Sequence, residues 1–400
     1  MTAAIRSILT PTAILRLVLG WGAFAALLLV GPLLEPPVPA PLLITALVVI
    51  VGVILICAFG VVNEAEHLAH RLGDPYGSLV LTLSIVLIEV VLIAAVLLGP
   101  GDHTTIARDS VMAVSMIILN AVIGLCLLVG GLRHGDMAHN RTGTSTYLSL
   151  TIVLAALAFA LPALIGTNGS YAHWQELPII VLTIGIYAFF LYRQTGSQAD
   201  DFVEVDERLT RAPAEAAGRS ATGTEAGDAP VTVVEGEPVK HSIVDIISTH
   251  RTEIIVRLLL LVATVTPIVL LSHDMATLLD DGLGRLGAPV ALSGVVIALI
   301  VFLPETITSI RAAWAGEVQR VSNLCHGAQV STVGLTIPVV LVIGALTDQQ
   351  IVLAESPANL LLFAVTLLLS VTTFAAKRVT AVHGAAHLVV FAIFGITLFS

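Results

Sequence analysis

Two glutamates, Glu89 and Glu305, lie deep inside long apolar stretches of a chain that otherwise keeps charge out of its hydrophobic segments. A carboxylate at the centre of a bilayer is costly, and such groups mark ion or proton pathways. Pro304 precedes Glu305. Proline has no N–H, so the carbonyl of Ile300 loses its helical partner and becomes available to a ligand or water. Thr82 and Ser84 before Glu89, and Thr306 and Thr308 after Glu305, offer further oxygens. Hydroxyls in membrane helices also bond back to their own backbone, so these are candidates for a supporting role only. Ser115 and Asn120 occupy another apolar stretch, and Asn323, His326, Gln329, Ser331 and Thr332 make an unusually polar run. That run reads either as a pathway lining or as an interfacial helix start.

The elements that must carry these residues follow from composition. With 56% hydrophobic and 12% charged residues, the chain lies outside the range of soluble globular proteins. Eleven apolar runs are long enough to cross a hydrocarbon core of roughly 30 Å. They fall near 12–31, 42–62, 77–98, 110–131, 146–166, 178–194, 254–272, 289–310, 321–346, 357–375 and 381–399. The first lacks a small-residue cleavage pattern and reads as a retained helix. With the N-terminus inside, the cytoplasmic segments hold fourteen Lys or Arg and the opposite side only Arg108 and Arg285, the asymmetry that membrane insertion favours.

A polar stretch at 195–252 divides the chain. Between 195 and 245 it carries eleven Asp or Glu against four Lys or Arg, a net −7 of the chain's −10, and its composition predicts a solvated tether or a cation-attracting segment. Arg71-Leu72-Gly73-Asp74-Pro75 before the third run echoes Arg285-Leu286-Gly287-Ala288-Pro289 before the eighth, and each is followed by a membrane glutamate. Five spans separate the copies, so they run in opposite directions, the mark of an inverted-topology repeat with its site at the midplane. The expected fold is therefore all-α, a polytopic membrane protein of eleven transmembrane helices in a 1 + 5 + 5 arrangement. Its parts are a tail and first helix (1–41), a five-helix repeat (42–194), an acidic cytoplasmic linker (195–252) and a second repeat (253–400).

Other motifs weigh less. Cys57, Cys126 and Cys325 have no disulfide or metal spacing and read as small buried apolar residues. Glu64, Glu66, His67 and His70 form either an ion-entry patch or an ordinary solvated helix end. His383 and His387 share a helix face, but no second histidine pair answers them. There is no HExxH motif and no Walker A motif, which argues against a metalloprotease and a primary pump, and no catalytic constellation suggests an enzyme.

One helix, five helices, an acidic loop and five more helices resemble the cation/proton exchangers of the calcium/cation antiporter superfamily. Within it, AFGVVNEAEHLAHRLGDPYGSLVLTLSIVLIEV (58–90) and LPETITSIRAAWAGEVQRVSNLCHGAQVSTVGLTIPVV (303–340) resemble the bacterial ChaA-type calcium or sodium/proton antiporters. The resemblance implies that Glu89 and Glu305 are the metal-binding pair and give up the cation for protons. It also implies transported Ca2+, Na+ or K+ and H+ with no cofactor, a lipid bilayer as surroundings, and no nucleic-acid partner. The implied location is a bacterial inner membrane with N-terminus and linker cytoplasmic and C-terminus outside. The wider superfamily often has Gly-Asn before each essential glutamate, where this chain has Ile85-Val86-Leu87-Ile88 and Val301-Phe302-Leu303-Pro304. His326-Gly327-Ala328 stands where relatives carry Leu-Gly-Ser, placing an imidazole near the path, where it tunes proton release or is a hydrogen-bonded bystander. Two ionised carboxylates in low dielectric need a cation or protons, and exchange follows if only a compensated site can cross between faces. A passive cation channel or uniporter is the alternative use of paired carboxylates.

Overall fold

A computed structural model of the chain describes residues 8–34, 37–72, 104–206, 208, 243–289 and 291–399, with positions 83, 86, 87, 89–91, 93, 94 and 97. In order the helices are α1 (Pro11–Val30), α2 (Ala40–Leu72), α3 (Ile106–His134), α4 (Arg141–Ile165) and α5 (His173–Thr195), then α6 (Ile243–Arg285), α7 (Ala291–Ala315), α8 (Val318–Thr347), α9 (Pro357–Ala375) and α10 (Ala381–Thr397). The described positions between 83 and 97 are helical as well. Helix starts follow local chemistry. Thr10, Asn140 and Ser356 accept backbone N–H bonds from the first turns of α1, α4 and α9, and prolines open α1 and α9.

Among the described residues eight helices are long and apolar enough to span a bilayer, or nine if the bent pair within α7 counts as one span, against the eleven expected. The run at 77–98 falls largely outside the described residues, and that at 381–399 is the 17-residue α10. Two expected spans need correction. The span predicted at 42–62 continues to Leu72, and that at 254–272 runs from Ile243 to Arg285 with a kink at His250. Hydropathy marks the part of a helix that lies in lipid, whereas its end requires a breaker. None occurs in NEAEHLAH, and Glu64 binds Arg257 at 2.6 Å beyond the apolar section, fastening α2 to α6.

The apolar interior is divided. One core joins buried residues of α3, α4, α5, α8, α9, α10, both halves of α7 and the Glu89 helix. A second joins α2 and α6, with α1 packed beside them, and α7 reaches it through Val296, Ile297 and Ile300. The trio is pinned internally. Trp21 Nε1 donates to the Ala263 carbonyl at 3.0 Å, and the Val38 amide donates to Asp281 at 3.1 Å. Each body therefore draws helices from both halves of the chain.

Within the larger body α3 and α10 meet at backbone distance. A Cβ at Gly384 would run into the Leu128 amide nitrogen and the Gly124 carbonyl, so only glycine allows this crossing. The approach brings a short antiparallel pair, β1 (Asp136–Ala138) and β2 (Arg378–Thr380), together on the face predicted to be cytoplasmic. On the opposite face the Val352 amide donates to the Thr104 carbonyl, and Leu353 and Ala354 donate to Gly169.

The linker expectation is also corrected at both ends. Residues 243–252 belong to α6, and the first residues after α5 are a folded strap. Phe202 is buried with its ring 5.1 Å from Tyr147 and 6.0 Å from Phe190. Its carbonyl accepts from Asn323 Nδ2 at 2.7 Å, and Glu204 accepts from the Gln319 amide at 3.1 Å, tying the strap to the start of α8. Arg208 grips Asp206 at 2.6 Å and reaches the Asp136 carbonyl. Its side-chain hydrogen bond holds the Asp206 carboxyl well below the ordinary carboxylate range. Because the folded value is depressed, this anchor is intact above the ordinary carboxylate pKa and is lost only as pH falls through the depressed one. Acid composition hid the strap because one aromatic among many charges decides the docking. Phe202→Ala should loosen it by about 3 kcal/mol. The check is limited trypsin digestion, where cleavage after Arg208 should accelerate at least about tenfold; unchanged protection would show that Phe202 does not hold the strap.

Candidate cation site

Glu89 lies on a buried stripe. Val86, Val90, Ile93 and Leu97 share its side of the helix, while Leu87 and Val91 are exposed. Spacings of three and four residues put these groups on one face, so the carboxylate points into protein and not towards lipid. On α7 Phe302, Glu305, Ser309 and Ala312 form an equivalent stripe. Glu89 is 4% and Glu305 3% exposed, and each carboxylate lies within electrostatic reach of the other.

The bend in α7 explains part of this placement. Leu292–Ile300 and Phe302–Ala315 meet at 55°. Before the bend α7 packs on both bodies, through Val296, Ile297 and Ile300 on the α2/α6 core and Val295 and Ala298 on the larger one, whereas after it Phe302, Ala312 and Ala313 pack on the larger core. Pro304 withholds the N–H that would bond Ile300, which is why the turn occurs there.

The third wall is α8, which presents Cys325, Gln329, Thr332 and Thr336 along one face. Thr332 Oγ1 donates to Glu89 Oε2 at 2.6 Å. Gln329 Nε2 donates to Ser115 Oγ at 2.8 Å, and Ser115 in turn donates to the Val111 carbonyl. Cys325 lies 3.7 Å from Ser309 Oγ. Glu89 Oε1, both Glu305 oxygens and the Gln329 carbonyl oxygen are buried with no protein hydrogen-bond partner among the described residues. One hydroxyl donor thus serves two carboxylates. Among the described residues no three His, Cys, Asp or Glu side chains are grouped to hold a metal ion, and the donors at the pair are carboxylate, amide and hydroxyl oxygens. Such a set suits a hard cation or protons.

Several expected members stand elsewhere. Asn120 sits in a π-helical turn, Ile117–Val122, of α3. Its Nδ2 donates to Thr366 at 2.9 Å and its Oδ1 lies 3.2 Å from His387 Nδ1, so it supports α9 and α10 rather than the carboxylates. His326 is turned to a neighbouring face of α8, hydrogen-bonded to Ser322 at 3.0 Å and stacked on Tyr147 with ring centroids 6.2 Å apart. Ser331 accepts from the Tyr187 hydroxyl at 2.9 Å. Thr306 donates to the Phe302 carbonyl and Thr308 to that of Pro304, the local bonding hydroxyls prefer in helices. Thr82 and Ser84 lie outside the described residues. Glu64, read as a solvated or entry group, is instead buried against Arg257. Ser309, which was not singled out, and Cys325, read only as a small buried apolar residue, line the site. Their signal was the four-residue spacing from Glu305 and Gln329.

Thr332→Val would keep the volume and remove the hydroxyl that donates to Glu89. A hydrogen bond to a charged group is worth about 1.5–3 kcal/mol. Cation half-saturation in a transport assay should shift by about tenfold or more, and an unchanged value would remove Thr332 from the site.

A family model described as sodium/calcium exchanger protein matches residues 42–196 and 255–399. The chain belongs to that family. The match comes in two segments, leaving out α1 and most of the linker. Membership agrees with the resemblance read from residues 58–90 and 303–340, and identifies a multi-pass membrane protein that exchanges cations. The sodium-potassium/proton antiporter ChaA of Escherichia coli (strain K12) is 32% identical over 352 residues, 87% of each chain. The Sinorhizobium fredii protein y4hA is 32% identical over 346 residues, 86% of this chain and 85% of that one. Among solved structures, that of the H+/Ca2+ exchanger CAX has a TM-score of 0.64 at 13% identity, covering 96% of this chain and 88% of the other. At that identity the likeness speaks for the fold.

Proposed function

We propose that the chain is a secondary active cation/proton antiporter of a bacterial inner membrane, with Glu89 and Glu305 shared between the cation and protons. Its N-terminus and linker are cytoplasmic and its C-terminus lies outside. The observation that carries the reading is the pair of inward-facing carboxylates from separate helices, with three of four oxygens unpartnered among the described residues and one hydroxyl donor between them. Ionised together, they need compensating positive charge. A cation at the pair supplies it on one half of the cycle and protons supply it on the other. An uncompensated pair cannot cross the change of access, so the two flows are coupled.

The moving parts suggested by the packing are the α1/α2/α6 body and the larger body, which meet along the first half of α7, up to its bend beside the pair. Relative movement there opens the pair to one face and then the other, the alternating access of inverted-repeat transporters. Na+ or K+ is the cation favoured by the 32% likeness to a sodium-potassium/proton antiporter over most of the chain. Ca2+ is the second reading, favoured by the oxygens at hand: the two carboxylates, the Gln329 carbonyl, Thr332, Ser115 and the Ile300 carbonyl, which with waters approach the six to eight that Ca2+ takes.

The test is fluorescence-monitored proton movement in everted vesicles on adding Na+, K+ or Ca2+ in turn across a pH series. Antiport predicts cation-dependent proton release in at least one arm. Cation flux without proton movement would overturn the reading and favour the passive channel.

A further inference from the structure

We propose that three buried histidines, His139, His326 and His387, form a proton branch that reaches the carboxylate pair from the strap-covered face by a route the cation does not use. The proposal deepens the antiport reading above and rests on it. The three imidazoles come from different elements and converge on two consecutive residues at the end of α9. The Phe374 ring lies edge-on to His326 at 4.8 Å and to His139 at 5.3 Å. Its carbonyl lies 3.0 Å from His139 Nε2, and Thr373 Oγ1 lies 3.4 Å from His387 Nε2.

From this cluster a polar line runs inwards. Thr366, Ser370 and Thr373 occupy one face of α9 and are fully buried. His387 Nδ1 meets Asn120 Oδ1, and Asn120 Nδ2 meets Thr366. Asn120 stands five residues beyond Ser115 on α3, whose hydroxyl accepts from Gln329 at the carboxylate site. Four atoms along the line are buried with no protein hydrogen-bond partner among the described residues: His139 Nδ1, His326 Nε2, Ser370 Oγ and the Gln329 carbonyl oxygen. A buried polar atom left unpartnered costs about 1–3 kcal/mol, and ordered water is the usual partner. An imidazole takes a proton on one nitrogen and releases one from the other, so a proton passes with no net change in the ring's charge, and the ring is left in its other tautomer until it resets.

The lining does not suit a hard cation such as Na+, K+ or Ca2+. It offers ring nitrogens, single hydroxyls, the Met116 thioether and aromatic faces in place of a cage of oxygens. The titratable groups facing His326 are Tyr147 from α4, His139 and His387, with Cys325 beside it on α8. His383 faces His387 from one turn earlier, and Arg141 faces His139. Burial holds His139 below the ordinary histidine value, opposed by its bond to the Phe374 carbonyl and aided by the Arg141 charge. It is therefore neutral at pH 7 and able both to accept and to donate.

The experiment compares two transport modes in the same vesicles, for His139→Leu, His326→Leu and His387→Leu and for His387→Asn, which keeps a donor and an acceptor. Cation-driven proton movement should fall at least about tenfold in the leucine variants and recover in part in His387→Asn. Isotopic cation–cation exchange at equal pH needs no net proton and should stay within about twofold. Equal loss of both modes in variants that remain monodisperse and melt like the parent would overturn the proposal, as would no loss in either. Failure of the carboxylate reading would show differently, as exchange retained in Glu89→Gln.

Discussion

Glutamine in place of Glu89 or Glu305 should abolish cation-driven proton movement in everted vesicles, a loss of at least about a hundredfold. Glutamine matches the shape and removes one negative charge and the titrating proton, so the effect is electrostatic and chemical rather than steric. Losing one charge-assisted contact to the ion is worth about 3 kcal/mol, and each 1.4 kcal/mol is tenfold. Glu89 is the more informative of the two. Its bond from Thr332 survives in the amide carbonyl, so the fold around it is kept while the charge is lost. Glu89→Asp keeps the charge but draws it back by one methylene, and part of the exchange should return. Near-normal exchange in either glutamine variant would end the assignment.

The largest stability effect should come from the ion pair that joins α2 to α6. Glu64 and Arg257 meet at 2.6 Å with side chains about one tenth exposed, and Glu253 adds a second carboxylate to the same guanidinium at 3.2 Å. Removing one partner from a buried pair leaves the other charge uncompensated and costs about 3–5 kcal/mol. Arg257→Met should therefore lower the melting temperature of detergent-solubilised protein steeply. Adding Glu64→Gln to it should restore much of the loss, because a neutral amide tolerates burial better than an orphaned carboxylate. If the double variant melts no higher than the single one, the pair is not what clamps these helices.

The part of the molecule that the sequence made legible is the part governed by hydropathy and periodicity. Two acids embedded in apolar runs needed partners, and Glu89 and Glu305 both lie on inward stripes. Pro304 and the bend beside it follow from a missing N–H. The polar run from Asn323 to Thr332 faces the protein interior, though its members part company: Thr332 and Gln329 turn to the site, His326 and Ser331 to neighbouring faces. A single sequence gives the angle between such residues but not which neighbouring helix each angle meets. Asn120 illustrates this: its helix contributes Ser115 to the site, while Asn120 itself, inside the π-helical turn, bonds Thr366 and His387.

Long-range pairing explains the remaining misses. Glu64 and Arg257 are 193 residues apart, and nothing local marks either as the other's partner. Their union holds the polar end of α2 against α6, and hydropathy alone ended α2 early. The strap was hidden by averaging, because its net acidity outweighs one docking ring, Phe202.

The central claim is that cation and protons compete for one pair of carboxylates. Purified protein in weakly buffered solution, titrated with Na+, K+ and Ca2+ while free proton concentration is followed, tests it without vesicles or driving forces. The account predicts that binding of the transported cation releases protons in the parent and that Glu89→Gln with Glu305→Gln releases none. Proton release and cation affinity unchanged in that double variant would contradict it.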